Sequence, residues 1–195
     1  KIVGSAGLYK DSSKPIPATL RDPTGNWSSL SLRARLIYEA KDLPKPTSFH
    51  YEELADPKWK GKVCIRSGQH PYNIGLTAAY IAHLGEAKAE EWLKGIKANL
   101  ARKPAGGDRE NARDILGSIC DIGVANSYYV GLMRSGKGGP DQQKWGDGIK
   151  VVLPVFTSGG THVNVSGAVV AKSAPHRDEA GKPSEYLVAD AGHGL

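Results

Sequence analysis

The pattern of hydrophobic and polar positions predicts strands that alternate with helices. Residues 27–38 suit strands, whereas an apolar stripe with i, i+3, i+4, i+7 spacing predicts a helix at about 87–101. The same criteria predict the other elements: a short helix at 51–55, helices at 73–84 and from Asp108 as N-cap, and strands at 62–66, 119–125, 150–155 and 162–171. Alternating strands and helices indicate an α/β fold with a mostly parallel, doubly wound sheet.

Length and composition limit the classes of protein to consider. The 195 residues suit one large domain or two small ones, and 39% hydrophobic residues are enough for a core. No apolar stretch approaches the ~20 residues of a membrane-spanning helix, so we expect a chain that does not span a membrane. Lysines and glutamates are mixed along 86–97, so the net charge of +6 forms no basic stripe and we expect no nucleic-acid partner.

The two cysteines, Cys64 and Cys120, each lie in a strand-like run. Adjacent parallel strands would bring them together, and a disulfide between them would indicate an oxidising compartment. The alternative is two buried thiols. Two cysteines do not make a zinc site without histidines at ligand spacing, and the six histidines form no such cluster in the sequence.

Two adjacent tyrosines, Tyr128 and Tyr129, directly follow the apolar strand-like run 120–125. Open α/β sheets hold ligands at the carboxyl ends of their strands. Two phenols there can become anionic, hard oxygen donors. Such donors suit a hard cation such as ferric iron, whereas zinc prefers nitrogen and sulfur ligands. The alternative is an ordinary aromatic pair at the start of a helix, with one ring in the core and one at the surface.

Two turns between a predicted strand and a predicted helix carry polar residues, 66–72 (RSGQHPY) and 126–129 (NSYY). Helix N-termini present free N–H groups and the positive end of the helix dipole, so each turn is a candidate oxyanion site. The alternative is that Ser67 and Asn126 only cap their helices.

Four segments, in this order, resemble one known family: 59–68 (WKGKVCIRSG), 97–109 (KANLARKPAGGDR), 126–129 (NSYY) and 160–167 (GTHVNVSG). They are similar to the periplasmic ferric-iron-binding proteins of bacterial ABC importers. The likeness is to the iron-deficiency-induced, tyrosine-rich branch found in cyanobacteria and many proteobacteria. It covers roughly residues 20–190 of this chain.

The resemblance implies a role for individual residues. Tyr128 and Tyr129 match the adjacent tyrosine ligands of the family, and Tyr72 matches a third tyrosine ligand used in this branch. Arg33 or Arg35 matches an arginine near the site that balances phenolate charge. A synergistic anion, phosphate or carbonate, is held in related members at the positions of Ser67, Gly68 and Asn126.

The resemblance also implies an architecture, the α/β type-II periplasmic-binding-protein fold with two lobes and mostly parallel doubly wound sheets. We expect 1–39 and 159–195 to form part of the first lobe with hinge strands and tail, and 40–158 to form the second lobe with the tyrosine ligands. Family members are considerably longer and carry a further tyrosine or histidine ligand on the first lobe. We therefore expect this sequence to be a fragment or an incomplete version of such a protein.

The implied function is capture of Fe³⁺ for the membrane permease of an ABC importer, by an exported, periplasmic and monomeric protein. Export to an oxidising periplasm permits a disulfide, so we expect Cys64 and Cys120 to be bridged. Residues 1–5 lack the apolar run of a signal peptide, so we expect any export signal to be removed or outside this sequence. We expect no catalysis, because Ser67 with His70 reads as a turn at a helix start. The alternatives are anion or small-solute binding in the same fold without iron, and a hydrolase or transferase that uses Ser67.

Overall fold

The computed structural model describes residues 16–24, 26–44, 48–171, 173–176, 179–180, 182 and 186. These residues belong to two compact units, one within 1–32 and 164–195 and the other within 33–163. All candidate site residues lie in the second unit. The predicted lobe boundaries stay a prediction, because compactness alone does not identify a lobe. None of the helices in the described ranges is long and apolar enough to cross a membrane.

Strands and helices alternate through most of the described chain. The strands are β1 (Ser28–Ala40), β2 (Val63–Cys64), β3 (Ile122–Asn126), β4 (Ile149–Val152) and β5 (Val163–Ala168). The α-helices are α1 (Pro71–Leu84), α2 (Glu86–Asn99), α3 (Asp108–Leu116), α4 (Ser127–Arg134) and α5 (Pro140–Asp147). Short 3-10 helices cover Ala18–Leu20, Tyr51–Ala55 and Pro57–Trp59.

The predicted elements are confirmed, with ends that differ by a few residues. β2 is the shortest, with two residues where the pattern predicted five positions at 62–66. Helix α5 was not predicted. Its eight residues are mostly polar and only Gly146 is buried, so the sequence has no apolar stripe there.

The strand order in the sheet is β2-β3-β1-β4, and β5 also pairs with β1. β2 and β3 are parallel, and β1 is antiparallel to both β3 and β4. Three of these strands therefore share one direction, as a mostly parallel sheet requires, and β1 runs against them. The direction of β1 was not foreseen, because no α-helical crossover joins β1 to β2 among the described residues and the βαβ handedness rule does not apply to it.

Both faces of the sheet are covered by helices, as expected for a doubly wound fold. On one face Ile37, Val63 and Val124 pack with Leu76 of α1 and Trp92 of α2. Other residues of the same strands point to the opposite face: Leu36, Tyr38, Cys64 and Ala125. There they pack against Ala112 and Ile115 of α3 and Met133 of α4. The period of two along each strand therefore supplies two separate hydrophobic layers.

Cys64 and Cys120 form a disulfide, with Cα atoms 5.8 Å apart. Both side chains are buried. Cys64 ends β2 and Cys120 lies two residues before β3, so the bridge links the two parallel strands. The disulfide is therefore confirmed over the alternative of two thiols.

Replacement of both cysteines by serine should lower the free energy of unfolding by about 2–5 kcal/mol, because the bridge closes a long loop in the unfolded chain. The sequence separation it closes is 56 residues. Urea unfolding measures the change. Thiol titration of the denatured native protein should find no reactive thiol before reduction and two afterwards. Two reactive thiols without reductant would show that the bridge does not form.

Candidate metal centre

The helices that follow the neighbouring strands β2 and β3 carry the three predicted metal-binding tyrosines. α4 begins directly after β3, and α1 begins after a turn of six residues, 65–70, that follows β2. Tyr72 is the second residue of α1, and Tyr128 and Tyr129 are the second and third residues of α4. The hydroxyl oxygens of Tyr72 and Tyr128 are 3.0 Å apart and share a hydrogen bond. The ring centroids of Tyr128 and Tyr129 are 4.2 Å apart. The fold therefore joins phenols that stand 56 positions apart in the sequence.

The phenols of the hydrogen-bonded pair hold their protons more tightly than free tyrosine does. The hydrogen bond to Tyr128, followed by burial, raises the pKa of Tyr72 above its ordinary value of 10.0. Burial, followed by a hydrogen bond to Tyr129, raises the pKa of Tyr128. A cation that binds these oxygens must therefore displace protons from them.

The buried carboxylate of Asp108 connects the elements that lead to the tyrosines. One oxygen accepts hydrogen bonds from the Asn126 N–H and from Arg35 Nη1, each at 2.7 Å. The other oxygen lies 3.3 Å from Arg66 Nη1. The prediction of Asp108 as a helix N-cap is wrong, since Gly107 is the N-cap and Asp108 is the first helical residue. A buried carboxylate needs charged partners, and these arginines supply them.

Arg35 is a buried guanidinium held by several partners at once. Besides its carboxylate partner, it donates to Asn126 Oδ1 at 3.0 Å and to Asn73 Oδ1 at 2.6 Å. The Asn73 amide in turn donates to the carbonyl oxygens of Arg66 and Ser67, at 3.0 and 3.1 Å. The network therefore ties β1 to both turns that precede the tyrosine-bearing helices.

Three guanidiniums of the described residues face tyrosine rings at the site. Arg66 Cζ lies 5.1 Å from the ring centroid of Tyr72, and Arg35 Cζ lies 5.8 Å from it. Arg109 Cζ lies 5.8 Å from the ring centroid of Tyr129. Cations held over the rings favour the phenolate form, so the site provides fixed positive charge where negative charge would develop.

The sequence left open whether Arg33 or Arg35 balances the phenolate charge. The structure places Arg35 over the ring of Tyr72. Arg33 lies two residues earlier on β1 and is half-buried. Its role at the site stays a prediction.

The turn before α1 exposes Ser67 and Gly68. Ser67 Oγ accepts a hydrogen bond from the N–H of Gln69 at 3.2 Å. It therefore stabilises the turn and does not cap the helix. The N-cap of α1 is His70, whose Nδ1 accepts the N–H of Tyr72 at 3.3 Å. The alternative that Ser67 only caps the helix is therefore wrong, and its role in holding an anion stays a prediction, as does that of Gly68.

Asn126 occupies the N-cap position of α4, yet its side chain makes no capping hydrogen bond. Its oxygen accepts from Arg35, and its buried amide nitrogen acts on the Tyr128 phenol, where it lowers the pKa, without completing a hydrogen bond of good geometry among the described residues. The capping alternative is therefore wrong for Asn126 as well. A buried N–H group without a completed hydrogen bond suits an oxyanion, and this role stays a prediction.

No other donor set competes with the phenols in the part of the chain that the structure describes. No group of three or more histidine, cysteine, aspartate or glutamate side chains there could hold a metal ion. The tyrosines are thus the candidate ligands within the described residues.

The sequence analysis missed five residues at the site. Four of them have a partner that is distant in the sequence, so no local pattern marks them, whereas His70 contacts Tyr72 two residues later. Arg66 and Arg109 appeared only as letters within longer motifs. The five are Arg66, His70, Asn73, Asp108 in its bridging role, and Arg109.

Comparison with known families now adds to this geometry. The family described as bacterial extracellular solute-binding protein matches residues 5–193. The chain belongs to this family. Iron uptake protein A2 of Synechocystis is 43% identical to this family member over 179 residues, which cover 90% of this chain and 51% of that protein. The chain therefore spans about half the length of the curated relatives it matches.

Solved structures are similar over nearly the whole chain. The Bordetella ferric binding protein has a TM-score of 0.90 and 58% identity, covering 98% of this chain and 60% of that one. A Trichodesmium protein in complex with iron and citrate ligands has a TM-score of 0.87 and 38% identity, and the match covers 100% of this chain and 60% of that one. These similarities confirm the predicted α/β, type-II periplasmic-binding-protein fold class.

Proposed function

We propose that the protein binds ferric iron through Tyr72, Tyr128 and Tyr129 and delivers it to the permease of an ABC importer. The observation that carries the proposal is the 3.0 Å approach of the Tyr72 and Tyr128 hydroxyl oxygens, with the ring of Tyr129 beside them. The names of an iron uptake protein and of a ferric binding protein among the relatives support the same function.

The chemistry of the donors favours a hard, highly charged cation. Phenolate oxygen is a hard ligand, and three phenolates balance the charge of Fe³⁺. Two anionic oxygens 3.0 Å apart would repel each other strongly unless a cation lay close to both. A trivalent ion supplies that attraction and displaces the phenol protons.

The fixed charges around the tyrosines favour an oxyanion bound together with the iron. Ferric iron with three phenolates is neutral, whereas Arg35, Arg66 and Arg109 face the rings and only Asp108 opposes their charge among the contacts described. An anion such as carbonate or phosphate would offset this excess. The similar Trichodesmium protein in complex with iron and citrate ligands supports an anion that binds together with iron. The proposed donors are Ser67, the N–H groups after Gly68, and Asn126, with Arg33 as a further source of charge.

We also propose that the protein is an exported monomer that meets a membrane permease in the periplasm, and its membership of a bacterial extracellular solute-binding family supports the export. The disulfide between Cys64 and Cys120 suits this oxidising compartment. The same family membership supports transport rather than catalysis. Ser67 and His70, the pair that a hydrolase or transferase would use, both have their side-chain acceptors occupied by N–H groups of the turn.

The Tyr128→Phe variant should lose most of the visible absorption of the iron-loaded protein and release iron faster. Ferric phenolate is coloured, whereas an iron-free anion complex is not, so the spectrum also separates iron binding from its alternative. Tyr80→Phe is the matched control, because Tyr80 lies on α1 but stacks on Trp92 in the core. An unchanged spectrum in Tyr128→Phe would remove Tyr128 from the ligand set.

Iron binding should weaken as the pH falls. The raised pKa values of Tyr72 and Tyr128 mean that protons compete with iron at neutral pH and compete more strongly below it. The affinity should fall about tenfold per pH unit for each phenol proton that binding displaces. Competition with a chelator of known pH dependence, from pH 8 to pH 5, measures this slope. An affinity that does not change with pH would contradict phenolate ligation.

Carbonate or phosphate should increase iron affinity in the native protein and increase it less in the Ser67→Ala variant, which lacks one proposed hydrogen-bond donor. Ser135→Ala is the control, because Ser135 is also exposed and also accepts an N–H two residues later. Iron affinity is measured with and without each anion. Equal anion effects in all three proteins would exclude Ser67 from the anion site.

A further inference from the structure

Asp108 receives hydrogen bonds from three parts of the fold. Arg35 lies on β1, Arg66 lies two residues after β2, and Asn126 ends β3. These partners are 73, 42 and 18 positions from Asp108 in the sequence. One buried carboxylate therefore joins side chains and backbone from β1, β3 and the turn after β2, which the sheet already brings together, with Arg35 opposite Asn126 in the β1–β3 ladder.

Each partner of Asp108 stands next to a tyrosine of the site. Asn126 directly precedes α4, whose second residue is Tyr128. Arg66 and Arg35 face the ring of Tyr72, with Cζ atoms 5.1 and 5.8 Å from its centroid. Among the described residues, no hydrogen bond or ion pair of the Asp108 carboxylate goes to a tyrosine.

We propose that Asp108 is a positioning residue for the tyrosine site, which acts through Asn126, Arg35 and Arg66 rather than on iron. This inference rests on the proposed function. Asp108 lies outside the set of ligands. The positions of the tyrosine ligands and of the arginines beside them depend on it.

A second observation separates this role from that of an ordinary buried ion pair. Each of the three partners keeps one buried N–H-bearing nitrogen without a completed hydrogen bond in the described part of the chain: Arg35 Nε, Arg66 Nε and Asn126 Nδ2. Buried polar groups in folded proteins are normally satisfied. Asn126 Nδ2 already acts on the Tyr128 phenol. In this proposal, Asp108 fixes where this nitrogen and the two arginine nitrogens lie relative to the phenolates and a bound oxyanion.

Asp114 provides a matched control on the same helix. It is also buried, and it pairs with Arg102 at 2.6 Å and with Arg113 at 2.8 Å. In the described chain neither of these arginines faces a tyrosine ring within the distances found for Arg66 and Arg109. Asp108→Asn and Asp114→Asn therefore both remove a buried carboxylate charge paired with two arginines, but only the first disturbs groups next to the tyrosines.

The experiment loads the native protein and both variants with Fe³⁺ supplied as its nitrilotriacetate chelate in carbonate buffer. The visible spectrum and the loss of iron to EDTA are recorded, and urea unfolding reports stability. Asp108→Asn should lower iron affinity about 10- to 100-fold, as changes beside a metal site typically do, and should shift the visible band. Asp114→Asn should lose stability, keep the native band, and retain iron within about twofold of the native protein.

The outcomes separate this inference from the proposed function. A native protein that forms no coloured complex overturns the proposed function and this inference with it. A coloured native protein with an Asp108→Asn variant that retains iron and colour unchanged overturns the positioning role alone, as would equal iron losses in the two variants. If Asp108→Asn does not fold, Arg66→Gln decides instead, because Arg66 is partly exposed. Iron retention equal to the native protein in Arg66→Gln also overturns the role.

Discussion

The parallel pairing of β2 with β3 is the constraint on which the site depends. Val63 lies opposite Ile122 and Cys64 lies opposite Gly123, so both strands end at the same edge of the sheet. The helices that follow them carry the tyrosines in their first turns, and the Tyr72 and Tyr128 hydroxyl oxygens are 3.0 Å apart. Two paired residues make a weak ladder, and the disulfide supplements it covalently. A Cβ at Gly123 would lie 3.2 Å from the Cys64 carbonyl oxygen, so a side chain there would require the paired backbone to shift by a few tenths of an ångström.

Charge burial is the second condition for this arrangement. Arg35 and Asp108 are both almost fully removed from solvent, and burying either alone would cost several kcal/mol. The pair is tolerated because Arg35 also donates to Asn73 and Asn126, and because the second Asp108 oxygen lies near Arg66. Of the pair's buried side-chain atoms, only Arg35 Nε is left without a partner among the described residues. A protein gains little stability from such a pair compared with apolar residues of similar size. Its value lies in fixed charge, since guanidiniums held in place need no reorganisation when phenolates form next to them.

Sequence reasoning succeeded where the signal was local and failed where it was not. The direction of β1 was missed because its neighbours in the sheet, β3 and β4, lie far along the chain and no crossover helix links it to β2. Asp108 was read as a helix cap because its position at a helix start is typical of one. Burial changed its role: a carboxylate shielded from water pairs with guanidinium charge in preference to helix N–H groups, and two arginines lay within reach.

The sequence by itself determined the alternation of strands and helices and the placement of Tyr128 and Tyr129 directly after a strand. These features depend on periodicity and on neighbours within a few residues, which the chain carries locally. Only the tertiary structure decided that Tyr72 meets Tyr128, that Arg35 and Arg66 share one carboxylate, and that Cys64 reaches Cys120. Those contacts join residues 42 to 73 positions apart, and strand order and register set them rather than any local preference.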